Sequence, residues 1–168
     1  REAMDQVSRA CGCAVAWLTP LTSSRDGALP PKGHILAAAT VGGIYYWGKG
    51  VAIDYERAMA AYKIGAEGGD ALCQHQLGFM YYMGHGVAVD YKQAVAWLEK
   101  AAAQDEPFAV CMLGECAFEG KGMTPSWRRA REYVQRAIGL GCSVAVEHMR
   151  NLTSNIQEVT HCPPGVRS

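Results

Sequence analysis

The sequence repeats with a period of 36 residues, and this period limits its possible folds more than any other feature. A Gly-x-Gly motif recurs at that offset as Gly48-Lys49-Gly50, Gly84-His85-Gly86 and Gly120-Lys121-Gly122. Three further sets share the offset: Gly42 with Gly78 and Gly114, Ala58 with Ala94 and Ala130, and Tyr45 with Tyr81. An ungapped repeat of this length is typical of a solenoid, in which each unit buries its apolar face against its neighbours.

The first half of each unit has the pattern of a helix. In the middle unit we expect this helix over 71–83, because small and apolar residues recur there at helical spacing. They are Cys73, Leu77, Met80 and Tyr81. Gly84 then favours a helix C-cap. Gly78 lies inside the helix, where glycine costs about 1 kcal/mol relative to alanine, so its recurrence predicts a close approach between two helices.

The second half of each unit predicts another helix. In the middle unit Asp90 is well placed as the N-cap of a helix that runs to about Ala103. Its buried side is expected to carry Ala94, Trp97, Leu98 and Ala101. In the third unit Ser126 takes the place of the aspartate and is still a competent cap, and Pro125 is tolerated just before a helix begins.

Together these residues resemble the Sel1-like repeat. The resemblance rests on Leu77-Gly78, Tyr81, Gly84-His85-Gly86-Val87, Asp90, Ala94, Trp97 and Lys100-Ala101-Ala102. It is dense over 72–104, good over 36–68, and weaker over 108–140, where Ala117 replaces the tyrosine. It implies an all-α fold, a right-handed α-α superhelix of antiparallel helix hairpins related to the tetratricopeptide repeats. It also implies a non-catalytic scaffold or adaptor that binds one or more proteins.

We expect the regular solenoid to occupy 34–160, with units at about 36–68, 72–104 and 108–140 and a capping helix over 143–157. Residues 1–33 predict a degenerate helix over 1–11 and a loop rich in Pro, Gly and Ser, and 161–168 form a tail. The chain begins at Arg1 and not at Met, which indicates a processed or partial product.

In this family, as the resemblance implies, the first helix of each unit lines the concave, partner-binding surface. The positions expected to face outward there include Tyr46, Trp47, His75, Phe79, Tyr82, Glu115 and Phe118. Aromatic side chains on such a face are typical interface anchors. Tyr46 and Tyr82 are the favoured anchors, whereas burial between adjacent units is the alternative for Phe79 and Phe118.

A basic cluster in the third unit is a second candidate surface. Arg128, Arg129 and Arg131 lie there together with Lys121 and Arg136. They form either a solvated helix face or a docking patch for an acidic surface, since the arginine fork pairs well with carboxylates.

Charge and motifs give no reason to expect other functions. The 16 basic residues balance 16 acidic ones, so nucleic acid or an anionic membrane is not the expected partner. No apolar run approaches the roughly 18 residues of a membrane helix. No nucleophile elbow, phosphate loop or zinc-protease motif occurs, and we predict neither catalytic residues nor a cofactor. The five histidines are dispersed, which argues against a metal site, and His85 is expected to be a solvated turn residue.

The seven cysteines follow no repeated register, so the stapling pattern that the resemblance implies for some secreted relatives is absent. We favour reduced thiols, which slightly favours a reducing compartment. A pair such as Cys11–Cys13, or Cys142 with a neighbour, is the alternative. Two other roles stay open: a structural or accessory subunit of a large complex, and a regulatory repeat domain of a longer protein.

Overall fold

The structure is a computed structural model that describes residues 35–145 and residue 147. Six helices follow one another in this part of the chain: α1 (Ile35–Trp47), α2 (Tyr55–Glu67), α3 (Ala71–Met83), α4 (Tyr91–Ala102), α5 (Pro107–Glu119) and α6 (Trp127–Gly139). A further helical turn begins at residue 143, and the described residues contain no strand. The expected all-α solenoid is therefore confirmed.

The helices pair in chain order. α1 packs against α2, α3 against α4, and α5 against α6, so each unit is a hairpin. α2 also packs against α3, and α4 against α5, which stacks each hairpin on the next. One backbone hydrogen bond recurs in every hairpin at the 36-residue offset: the N–H of Asp54, Asp90 and Ser126 donates to the carbonyl of Tyr45, Tyr81 and Ala117, respectively.

The predicted caps set the helix ends in the middle unit. Gly84 follows α3 in the left-handed conformation, with φ of 76° and ψ of 29°, and its N–H donates to the Met80 carbonyl. The Asp90 carboxylate accepts hydrogen bonds from the backbone N–H groups of Lys92 and Gln93, both at 3.0 Å. α4 therefore begins where the sequence predicts, and it ends one residue earlier than expected.

Gly78 allows α3 and α4 to come into close contact. A Cβ atom at this position would lie 2.9 Å from Leu98 Cγ and 3.1 Å from the carbonyl oxygen of Ala94. Real side chains do not pack so closely, and the glycine is required for this helix spacing. The close approach predicted from its recurrence is confirmed.

The core combines small alanines with larger apolar side chains from both helices of each hairpin. Ala58, Ala94 and Ala130 are fully buried at equivalent positions of the three units. Around them the largest fully buried side chains include Leu77, Met80, Leu98 and Leu113. This apolar surface links neighbouring hairpins and holds the first helices side by side.

Several sequence predictions lie outside the described residues. They are the helix over 1–11, the loop that ends at residue 33, most of the capping helix over 143–157, the tail over 161–168 and the pair Cys11–Cys13. Within the described part of the chain, no helix is both long and apolar enough to cross a membrane.

Candidate functional site

The three first helices, α1, α3 and α5, line a groove with a volume of about 380 Å³. Its walls carry side chains from all three units and from the turn after α6. They are Tyr46, Trp47, His75, Gln76, Phe79, Tyr82, Met83, Phe108, Cys111, Met112, Glu115 and Val144. We call the surface lined by these residues the first-helix groove. Six of them were predicted for partner binding, namely Tyr46, Trp47, His75, Phe79, Tyr82 and Glu115.

Large apolar side chains at the groove are exposed to solvent. Trp47 is 63% exposed, Phe108 48% and Met83 47%. The exposure expected for Trp47 is confirmed. Single exposed apolar residues are common on proteins, but several that line one concavity are typical of a binding surface.

Tyr46 does not project outward as predicted. Only 7% of it is exposed, and its hydroxyl is hydrogen-bonded to Nδ1 of His85 at 2.9 Å. The His85 ring stacks on Tyr55, with ring centroids 4.6 Å apart. The turn of the second unit therefore covers Tyr46, and burial raises the pKa of its phenol. The prediction of a solvated His85 is wrong for the same reason, because this ring is partly buried between two units.

His75 is likewise buried, with 9% exposed, and the prediction that it faces away from the core is wrong. It stacks on Phe108 from the next unit, with ring centroids 5.9 Å apart. Its Nδ1 has no hydrogen-bond partner in the described part of the chain and lies 4.0 Å from the Glu106 carboxylate. Burial lowers the pKa of His75 to about 4, so the groove presents a neutral imidazole near pH 7.

Tyr82 lies at the rim of the groove in a small polar network. The Lys121 ammonium donates to its hydroxyl at 3.0 Å and pairs with Glu119 at 2.6 Å. The Glu119 carboxylate and the Tyr82 hydroxyl raise the pKa of Lys121, whereas burial raises the pKa of Tyr82. Tyr82 is half-buried, and its predicted exposure is only partly realised because Lys121 of the third unit covers it.

The other predicted residues differ in their position. Phe79 is partly buried against the core and meets Tyr46 edge-on, with centroids 6.4 Å apart. Glu115 is the only acidic or basic side chain in the groove lining apart from the neutral imidazole of His75. Phe118 is exposed at the end of α5, beside the groove and not among its lining residues.

The predicted arginines lie on α6, on a separate surface. Arg128, Arg129 and Arg131 are all exposed. Arg128 pairs with Glu132 at 3.3 Å on the same helix, and Arg136 pairs with Asp105 at 2.7 Å. Lys121 belongs to the groove rim instead, so the basic cluster seen in the sequence is divided between two surfaces.

Sequence reasoning missed several groove residues. Met83, Phe108 and Met112 were not among the predicted site residues, yet they supply much of the apolar lining. A signal for Phe108 was available, because Leu72, Phe108 and Val144 are equivalent positions 36 residues apart. All three are exposed apolar residues near the start of a first helix.

The groove combines neutral rings and thioethers with one carboxylate, which suits binding of an apolar or aromatic segment. Within residues 35–145, no group of three or more histidine, cysteine or acidic side chains converges to hold a metal ion.

Comparisons with known proteins give the family of this fold. The family model of the Sel1 repeat matches residues 35–70, 71–106 and 107–142. No curated protein sequence matches the chain. Among solved structures, a protective antigen with an SLR fold from uropathogenic Escherichia coli is 33% identical, with a TM-score of 0.69. A Sel1 repeat protein from Oxalobacter formigenes is 32% identical, with a TM-score of 0.64.

These two matches cover 73% and 67% of this chain. The chain in turn spans only 26% of the antigen and 46% of the Oxalobacter protein. Helicobacter pylori cysteine rich protein B matches over 70% of this chain and 96% of its own, with a TM-score of 0.54. At 17% identity it shows a shared fold alone.

Proposed function

The chain belongs to the Sel1 repeat family, and we propose that its first-helix groove binds a segment of a partner protein. Members of this family are generally protein-interaction scaffolds and are typically non-catalytic. The observation that carries this proposal is the concentration of exposed Trp47, Met83 and Phe108 along one concavity. A bound segment would remove these apolar surfaces from water, which is the main favourable term in association.

The chemistry of the lining favours an apolar or aromatic anchor in the partner. Met83 and Met112 offer flexible thioethers, and Phe108 offers a ring supported from behind by His75. Methionine adapts its shape to an incoming side chain, whereas supported rings keep theirs. Such a surface binds a hydrophobic side chain in its centre and leaves polar groups of the partner at the rim.

Binding can be tested with peptides selected from a random display library on the immobilised chain. The groove variants Trp47→Ala and Phe108→Ala should weaken the selected peptides at least about 30-fold, or roughly 2 kcal/mol, as expected for a central anchor. Affinity is measured by isothermal titration calorimetry or fluorescence anisotropy. Tyr46 is unsuitable for this test because its burial would couple binding to folding.

Trp127 provides the matched control. It is 60% exposed, nearly as much as Trp47, but it lies at the start of α6 and outside the groove. Trp127→Ala should change affinity less than about 2-fold, in line with an uninvolved surface residue. If Trp127→Ala weakens binding as much as Trp47→Ala, the groove is not the binding surface.

We also propose that Arg128, Arg129 and Arg131 contribute a docking patch for an acidic part of the same partner. Their exposure on one helix supports this second contact. Replacing all three by glutamine should mainly slow association, and the effect should vanish at high salt because exposed charges are then screened. If the triple variant associates at the wild-type rate at low salt, the arginines do not contribute to binding.

Two of the similar structures are longer than this chain, which suits a repeat domain of a longer protein. The chain spans 26% of the antigen and 46% of the Oxalobacter protein. We therefore propose a second role, as a repeat domain of a longer protein or a subunit of a complex. Size-exclusion chromatography with light scattering on the chain alone tests this, because a monomer with a cooperative melt would contradict obligate assembly.

A further inference from the structure

Two cysteines meet where the third unit contacts the turn that follows α6. Cys111, on α5, and Cys142 belong to the same buried core cluster, each is only 3% exposed, and their thiols lie close enough to interact. Neither is joined in a disulfide in this structure. The other described thiols have different neighbours: Cys73 contacts Asp70, and Cys116 lies near Glu115 and Glu119.

The repeat explains why these two residues meet. Positions 75 and 106 correspond to positions 111 and 142 one period later. In that earlier pair, His75 Nδ1 and Glu106 Oε2 are 4.0 Å apart. The repeat therefore brings the same two positions together in successive units, and in the third unit both positions are cysteines.

The backbone fixes Cys142 in this register. Its N–H donates to the Ala137 carbonyl at 2.9 Å, as the N–H of Glu106 does to the Ala101 carbonyl at 3.2 Å. Glu106 is the N-cap of α5, and Cys142 immediately precedes the next helical turn. Equivalent hydrogen bonds at both junctions hold the second member of each pair beside the preceding first helix.

We propose that Cys111 and Cys142 are a redox-active pair that forms a disulfide with a low-molecular-weight disulfide such as oxidised glutathione as the oxidant. The contact between two thiols in a fixed register carries this inference. Cys111 is among the groove-lining residues and Cys142 is not, so Cys111 is the thiol that meets the oxidant first, and at 3% exposure it does so through a local opening of the groove wall.

The exchange balances in two steps. The Cys111 thiolate attacks one sulfur of glutathione disulfide and expels a glutathione thiolate, leaving a mixed disulfide. The Cys142 thiolate then attacks the Cys111 sulfur and expels the second glutathione. Two protein thiols lose two electrons in total, and the two glutathione thiols formed take up the two protons. Burial raises the pKa of Cys111, so the reaction is slow at neutral pH and faster at higher pH.

The disulfide would join α5 to the start of the last helical turn. Val144, two residues after Cys142, lines the groove together with Cys111. Oxidation therefore ties the terminal wall of the first-helix groove to the third unit. This closes a loop of about thirty residues, and a loop of that length is expected to raise Tm by at least about 5 °C when its ends are cross-linked.

The test uses the full folded chain, incubated with oxidised glutathione, alkylated and digested with trypsin and a glutamate-specific protease. Residues 137–150 contain Cys142 as their one cysteine, and cleavage after Glu115 separates Cys111 from Cys116. We expect a cross-linked peptide pair that holds Cys111 and Cys142, and its loss on reduction with dithiothreitol. Fragment-ion sequencing identifies both cysteines without any substitution, so the result does not depend on how a variant folds.

Substitutions sharpen the assignment. Cys116→Ser should keep the cross-link and the rise in Tm, whereas Cys111→Ser and Cys142→Ser should lose both. Full alkylation of Cys111 and Cys142 in the oxidised wild-type chain would overturn the proposal. A cross-link of Cys142 to any cysteine other than Cys111 would overturn it as well.

Discussion

Replacing Gly78 by alanine tests how tightly the repeat is packed. In a solvated helix this change would stabilise the protein by about 1 kcal/mol, because alanine is the better helix former. At Gly78, however, the new methyl group would lie 2.9 Å from Leu98 Cγ and 3.1 Å from the Ala94 carbonyl oxygen. Leu98 is fully buried and the carbonyl is part of α4, so neither moves easily.

Overpacking of this kind costs about 1–3 kcal/mol, and contact with a rigid backbone atom favours the upper end. After the gain in helix propensity is subtracted, Gly78→Ala should lower the free energy of unfolding by about 2 kcal/mol. Urea denaturation followed by circular dichroism measures the difference. Gly139→Ala is the control, since a Cβ there meets nothing within 4 Å and the variant should be as stable as the wild type or more so.

A double-mutant cycle identifies the contact. Leu98→Ala opens space beside Gly78, so Gly78→Ala should cost less in that background than in the wild type. The reasoning is refuted if Gly78→Ala stabilises the wild-type chain, or if its cost is unchanged when Leu98 is truncated.

Two further perturbations address the groove and the helix caps. The folded-state pKa of His75, about 4, lies below its ordinary 6.5, so between these pH values the unfolded chain binds a proton that the folded chain does not. The free energy of unfolding should fall by about 3 kcal/mol as pH drops through this window, and His75→Gln, compared by urea denaturation, should lack that part of the decrease. Asp90→Ala should lower the free energy of unfolding by about 1 kcal/mol, whereas Asp90→Asn, which can still cap α4, should change it little in the same assay.

The helices and their caps could be predicted because their signals are local. Gly84, Asp90 and Ser126 act on residues within one turn of themselves, and the structure places each at the expected helix end. The fully buried alanines follow from the same repeat register. The concave position of Trp47, Phe79 and Glu115 also follows from register, once the first helices are known to lie side by side.

The exposure of groove residues could not be read from one unit alone. Tyr46, Tyr82 and Phe118 share one register but differ in what covers them. His85 of the next unit bonds to Tyr46, and Lys121 of the next unit bonds to Tyr82. The sequence has no Gly-x-Gly motif one period after Gly120, and Phe118 is exposed. The Tyr46–His85 and Tyr82–Lys121 hydrogen bonds each join residues 39 apart, which is one period plus three. These contacts therefore depend on how neighbouring units stack and not on the pattern within one unit.

The location of the bound segment is the central claim, and site-specific photo-crosslinking measures it most directly. A photoreactive amino acid replaces Met83, which lines the groove and is 47% exposed, or Ile138, which lies on α6 and is 38% exposed. Each variant is irradiated with a selected peptide at a concentration that saturates the wild-type chain. We expect a covalent adduct from position 83 and none above background from position 138. An adduct that forms equally at both positions, or only at position 138, would contradict binding in the first-helix groove.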